Sequence, residues 1–261
     1  MATALASTVV VFTALVVVVV TSPGWDEFKA KFLDADLFRA SLPDIAHAFV
    51  LNVKIFSISE VLILVVALGI AVLRSLPGPV FFPIRALAIV YTDVFRGIPT
   101  IMVVYMLALG IPALLLSDAD WYRSATLWAI VGLTLVYSAY VAEVYRAGIQ
   151  SVHPSQEAAA RSLGLSRWQS LRHVVLPQAV RRVIPPLLND FIGLQKDTAL
   201  VAIAGPVEAF RQAQIAESAN FNFTPYLDAS LLFLLLTIPL ARFTDYLIER
   251  DRRRFLAGGS V

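Results

Sequence analysis

The chain has 261 residues, 58% of them hydrophobic and only 15% charged, with a mean hydropathy of +0.75 and a formal net charge of +2. A soluble domain carries about 25% charged residues, so the composition excludes an ordinary soluble protein and points to a membrane protein; no nucleic-acid partner is expected. With no cysteine, a disulfide framework and a thiolate metal site are both excluded.

Six apolar spans are expected, near 3–22, 45–73, 98–116, 124–146, 183–204 and 226–248. A crossing of about 30 Å of hydrocarbon needs about 20 residues of helix. The first span lacks a basic leader and a small-residue cleavage site, so a retained helix is expected rather than a cleaved signal peptide. Residues 23–44 follow, where Trp25, Phe28, Phe32 and Ala35 recur at helical spacing among Asp26, Glu27, Lys29 and Lys31. That pattern predicts a helix lying on the outer leaflet. The second span contains Asn52, Lys54 and Glu60, so its first half either projects from the bilayer or lines the protein interior. Pro99 is placed to open the third span, where a missing N–H costs little. Segment 205–225, with Glu208, Arg211, Gln212, Gln214, Glu217 and Asn220, is too polar to cross.

Lys and Arg in the connections set orientation. Arg74, Arg85 and Arg96, then Arg146, Arg161, Arg167, Arg172, Arg181 and Arg182, then Arg250, Arg252, Arg253 and Arg254 fall on one side, thirteen in all. Lys29, Lys31, Arg39, Arg123 and Arg211, five in all, fall on the other. Both termini and the 147–182 loop are therefore expected in the cytoplasm.

That loop is the most informative part of the chain. Pro154 suits a first helical turn, Glu157 to Arg161 are strong helix formers, and Gly164 suits the left-handed residue that closes a helix. Ser166 and Gln169 have capping-box spacing. Leu165, Trp168, Leu171 and Val175 share a face of the next helix, and Pro177 is expected to end it. Nothing here is catalytic. The segment is built as a docking surface of two short helices.

Glu157-Ala158-Ala159-Ala160, Gly164, Val174 and Leu176-Pro177 resemble the cytoplasmic EAA loop of ABC importer permeases. The family's glutamate falls at Ala158, one place after Glu157. Phe95-Arg96-Gly97-Ile98-Pro99, then Ala142-Glu143 with Arg146 and Gly148, then Lys196-Asp197-Thr198 with Leu200 look like signatures of the polar amino acid permeases of that group. The resemblance covers about 45–250. It implies an all-α membrane protein with the type I importer (MetI-like) permease fold, about six transmembrane helices and an added N-terminal helix. Three regions follow: 1–44, the N-terminal helix and external segment; 45–250, the permease domain with its coupling loop at 147–182; and 251–261, a basic tail.

The resemblance also implies partners: a pair of ATPase subunits carrying ATP and Mg, a second permease subunit, an external solute-binding protein, an amino acid substrate and membrane lipid. It implies a bacterial cytoplasmic (inner) membrane location and no cofactor on this chain. Glu157, Ala158, Ala159, Gly164, Ser166, Arg167, Trp168, Leu176 and Pro177 would couple to the ATPase. The alternative for Trp168 is an anchor at the membrane interface. Charges at membrane depth are functional candidates, so Lys196 and Asp197, with Thr198, Asn189 and Glu143, are candidates for the substrate path. The alternative for them is packing ion pairs or snorkelling side chains. Arg96, Gly97, Pro99, Arg146 and Gly148 carry the structural signature.

A permease for another small solute remains an alternative. A secondary transporter would show an inverted repeat, and none is visible. A membrane enzyme would need a catalytic set, yet His47, His153 and His173 lack metal-ligand spacing. No phosphate-cradling Gly-rich loop is present, so ATP hydrolysis must come from another chain.

Overall fold

The computed structural model describes residues 2–258 except 115 and 117, without the side chains of 2–5, 251, 252 and 254–258. Arg252, Arg254 and the end of the basic tail therefore lie outside the described side chains. The described chain is all helical. In order the helices are α1 (Ala2–Val20), α2 (Trp25–Phe32), α3 (Ala35–Ser75), α4 (Phe82–Gly97), α5 (Thr100–Tyr105), α6 (Ile111–Ala113), α7 (Asp120–Arg123), α8 (Ala125–Gln150), α9 (Pro154–Ser162), α10 (Arg167–Ser170), α11 (Leu176–Asp197), α12 (Ala209–Asn220) and α13 (Thr224–Gly258).

Three stretches are long and apolar enough to cross a membrane: Trp25–Ser75, Ala125–Gln150 and Thr224–Arg250. The pair Phe82–Gly97 and Thr100–Ala113, bent by 103°, makes a fourth. Ala6–Val20 is a shorter apolar helix, and its large side chains are exposed all round. Residues 183–204, expected as an apolar span, are instead the end of the amphipathic α11 and a 3-10 turn over Thr198–Ala204.

α8 is the central helix. It packs against α3, α4, α5 and α11, and Ala129, Leu133, Val136, Ala139 and Ala142 are fully buried along it. Small residues allow close helix approach in a membrane. A Cβ on Gly132 would come within 3.2 Å of Val104 Cα, and one on Gly148 within 2.0 Å of Val183 Cγ2 on α11.

α3 begins at Asp34, whose carboxylate accepts from the Asp36 and Leu37 N–H groups at 3.0 Å. Its inward face runs through Ser41, Ile45, Ala48, Asn52, Ile55, Ser59, Ile63 and Ala67. The polar members of this face point into the protein while Val61, Val65 and Leu68 are exposed, which inverts the pattern of a water-soluble helix. Of the second span's polar residues, Asn52 is buried and Lys54 exposed.

The expected end of the loop's second helix is corrected. Pro177 does not end a helix: the chain continues through it to Asp197. A π turn over Leu171–Val175 directly precedes, and a second over Met106–Gly110 precedes Pro112. A proline ring presses on the carbonyl four residues earlier. Those residues, His173 and Ala108, both sit inside the widened turns. α2, expected on the outer leaflet, also packs part of its aromatic face on protein. Phe28 stacks on Phe32 at 4.8 Å and Phe32 on Phe223 at 5.0 Å. The Phe223 N–H donates to the Lys31 carbonyl at 2.7 Å, and Lys31 Nζ donates to the Phe221 carbonyl at 3.0 Å. α2 is thereby fastened to the α12–α13 turn.

Candidate functional sites in the 147–182 loop and along α11

The loop is fixed by local chemistry at each joint. His153 caps α9, its Nδ1 accepting from the Ser155 N–H at 3.2 Å, and Pro154 takes the first helical position. At the far end the Leu165 N–H reaches the Ala160 carbonyl at 3.2 Å and the Gly164 N–H the Arg161 carbonyl at 3.0 Å. This bond pair defines a Schellman closure, and Gly164 sits at φ +87°. Ser166 and Gln169 then make both bonds of a capping box, at 3.3 and 2.9 Å. α9 and α10 thus form a block with both joints hydrogen-bonded.

Val152, just before α9, packs with Val175 of the π turn and Ala179 of α11 in a small core, and α9 and α10 both pack on that π turn. Arg182 donates to the Ser151 carbonyl as a further tie. Beside the core lies an apolar groove of about 280 Å³, lined by Ile149, Trp168, Leu171, Val175, Leu176 and Ala179, with Arg172 at its edge. Trp168 is 66% exposed and Leu163 84% exposed, outside any apolar span. Trp168, Leu171 and Val175 meet as their spacing predicted, whereas Leu165 belongs to the Schellman closure. Ile149 and Leu163 were missed, since neither belongs to the α10 periodicity. Glu157 is half-buried, Ala158, Ala159, Arg167 and Pro177 are exposed, and Ala160 is buried.

The charged candidates separate into three settings. Glu143 accepts from Arg74 Nη1 at 2.9 Å and from Arg146 Nε at 3.0 Å, and Arg74 Nη1 also reaches Thr92 Oγ1 at 3.1 Å. These contacts tie α3, α4 and α8 together, so Glu143 sits in a packing clamp. Thr198 is fully buried, in a hub with Asn52, Gln195 and Glu208. Asn52 Nδ2 donates to Glu208 Oε2 at 2.8 Å and to Thr198 Oγ1 at 3.2 Å, while its Oδ1 accepts from the Ala209 N–H at 3.0 Å. Asn189 and Lys196 are exposed on α11, and their separation of seven residues puts them on one face. Asp197 is half-buried and accepts from the Tyr137 hydroxyl at 2.9 Å. In the last three turns of α11, Asn189 and Lys196 are thus open and Asp197 is open at its edge, while Arg181 and Arg182 are exposed nearer its start.

Asn52 and Glu208 are the hub residues the sequence reading left without a role. A polar residue inside an apolar span was the available signal for Asn52. Glu208 is 0% exposed, and burial raises its carboxyl pKa against the lowering effect of its N–H donors.

The signature around Arg96 is also relocated. Residues 82–97, read as a connection, form α4, and Pro99 is the residue before α5. Arg96 lies over the Tyr140 ring at 5.7 Å, and the Tyr140 hydroxyl donates to the Arg96 carbonyl at 3.2 Å. A Cβ on Gly97 would meet nothing within 4 Å.

An inward-polar helix set around α8, a broken span and a capped polar loop with an open apolar groove define a multi-pass membrane subunit. The chain belongs to the family of binding-protein-dependent transport system inner membrane components, whose model matches residues 80–253. It is a multi-pass inner-membrane protein with the MetI-like permease fold, a transport component and not the ATP-hydrolysing chain.

The probable glutamine ABC transporter permease protein GlnM of Bacillus subtilis (strain 168) is 36% identical over 192 residues, 73% of this chain and 85% of that one. The arginine transport system permease protein ArtQ of the same organism (strain 168) is 30% identical over 84% of this chain and 96% of that one. A crystal structure of an amino acid ABC transporter with histidines matches at a TM-score of 0.72 and 29% identity, over 80% of this chain and 94% of that one. The inward-facing methionine transporter MetNI, at 18% identity and a TM-score of 0.61, shares the fold, over 79% of this chain and 95% of that one.

Proposed function

We propose that the chain is the permease subunit of an ATP-driven importer for polar amino acids, lining the translocation path and coupled through residues 155–177 to a separate ATPase pair that carries ATP and Mg. The observation that carries this reading is the rigid α9–α10 block with its apolar groove at Trp168. A capped block seated on the start of α11 transmits a push from a closing ATPase pair directly into a membrane helix, as rigid-body switching requires. In this reading a second permease subunit, a copy or a different chain, completes the path, and an external binding protein delivers substrate. The loop and both termini face the cytoplasm, which the thirteen-to-five excess of Lys and Arg supports.

The substrate class rests on the relatives, a probable glutamine permease and an arginine permease. Lys196 and Asp197, with Asn189 on the same face, offer opposite charges suited to the carboxylate and ammonium of an amino acid. The test is reconstitution of the chain with its ATPase and binding protein in liposomes, followed by uptake of radiolabelled glutamine, glutamate and arginine. ATP-dependent uptake of at least one is expected. Uptake of none, or no association with an ATPase, overturns the reading.

A further inference from the structure

We propose that the cavity between α5, the 3-10 turn and α12 is an outer vestibule that takes the α-carboxylate of an incoming amino acid on Arg211. This rests on the reading of the chain as an amino acid permease and adds a site to it. The cavity holds about 360 Å³ and is lined in part by Ile101, Leu200, Ile203, Phe210, Arg211 and Gln214. That volume lies in the usual range for small-molecule sites, about 300–1,000 Å³. It sits past the end of α11 remote from the 147–182 loop, because the 3-10 turn follows Asp197.

Four of the six are apolar walls. Arg211 is the one charged residue of the full lining. Its Nη1 donates to Gln214 Oε1 at 3.1 Å, which orients the guanidinium and leaves N–H groups free to fork onto a carboxylate. No acidic side chain neutralises it among the described residues. Nearby Glu208 is already committed: its Oε1 accepts from the Arg211 N–H at 2.8 Å, and its Oε2 accepts from the Phe210 N–H at 3.0 Å and Asn52 Nδ2 at 2.8 Å. A guanidinium beside an apolar cavity, with no acidic partner among the described residues, is matched by an anion arriving from outside.

The element carrying Arg211 is pinned at both ends. The Glu208 cap and Asn52 hold the start of α12, and the Lys31 contacts to Phe221 and Phe223 hold its exit. A binding group on a fixed helix is preorganised. Ala199, Leu200, Ala202 and Ile203 of the 3-10 turn that follows α11 line the cavity.

The test uses the permease–ATPase complex in nanodiscs, without binding protein, and equilibrium binding of radiolabelled glutamine, glutamate and arginine. For whichever amino acid binds, Arg211→Gln is expected to raise Kd about tenfold or more, the loss of a hydrogen bond to a charged group, and Arg211→Lys to recover most of it. The decarboxylated amine of the same amino acid is expected to compete far more weakly than the amino acid in wild type, and this preference is expected to vanish in Arg211→Gln. Ala199→Phe, filling the cavity from another wall, should weaken binding with Arg211 intact, and decides alone should Arg211→Gln fail to assemble. Wild-type Kd in Arg211→Gln, or an unchanged preference for the carboxylate, overturns the vestibule while leaving the permease reading intact. Wild-type complex that neither binds nor imports any of the three overturns both.

Discussion

At Gly148 a single hydrogen in place of a methyl group decides whether two helices can cross. An added Cβ would stand 2.0 Å from Val183 Cγ2, and a β-branched side chain in a helix has little rotamer freedom with which to yield. Gly148→Ala is expected to cost about 1–3 kcal/mol, typical of overpacking, read as a fall of several degrees in thermal melting of the detergent-solubilised protein. Gly97, also part of the recognisable signature, has open space around its missing Cβ, and alanine is the better helix former. Gly97→Ala should therefore melt no lower than wild type. Equal effects of the two substitutions would contradict this account of the α8–α11 crossing.

Glu208 is the second residue whose removal should register in stability. Its carboxylate satisfies two N–H groups at the start of α12 and the buried Asn52 amide. Glu208→Ala leaves these donors without their acceptor, at about 1–3 kcal/mol for a stranded buried group. A clear drop in melting temperature is expected, and an unchanged one would mean water replaces the carboxylate without loss.

The elements of the loop were legible because their determinants are local. The sign of φ at Gly164 and the reciprocal bonds of Ser166 and Gln169 depend on residues within a few positions. Gly164→Val places a β-branched residue where φ is positive, a backbone outlier, and should separate α9 from α10. Uptake by the reconstituted importer is expected to fall severalfold while membrane insertion persists; full uptake would show that the turn has no part in coupling.

Less local features were not legible. The hub joins Asn52 to Thr198 and Glu208, 146 and 156 residues away, and no spacing rule reaches that far. α4 was read as a connection because Arg85 and Asp93 interrupt its apolar run. The helix through Pro177 was missed because proline ordinarily ends one, and the π turn that accommodates it has no pattern in the sequence.

Across the whole molecule, the common thread is a line from the loop, through α11, to the 3-10 turn and α12. The α9–α10 block packs on the π turn that leads into α11, Val152, Val175 and Ala179 form a small core beside it, and the Thr198 hub fastens the other end of α11 to α3. In the proposed coupling, α11 is the helix that would carry a displacement of the loop towards the proposed vestibule. Sidedness follows from the charge asymmetry: a reporter inserted after Arg172 should read cytoplasmic and one near Ala216 external, and both reading alike would break the topology.

The central claim is that the Trp168 groove receives the ATPase. An aromatic anchor at an interface typically contributes about 2 kcal/mol or more, a roughly 30-fold change in affinity. The direct measurement is the amount of ATPase that copurifies from membranes with wild-type chain and with Trp168→Ala at matched expression. The account predicts that the ATPase stays with wild type and is largely lost from Trp168→Ala, with equal permease in the membrane. Equal copurification, together with equal uptake, would contradict it and reduce the loop to a connector.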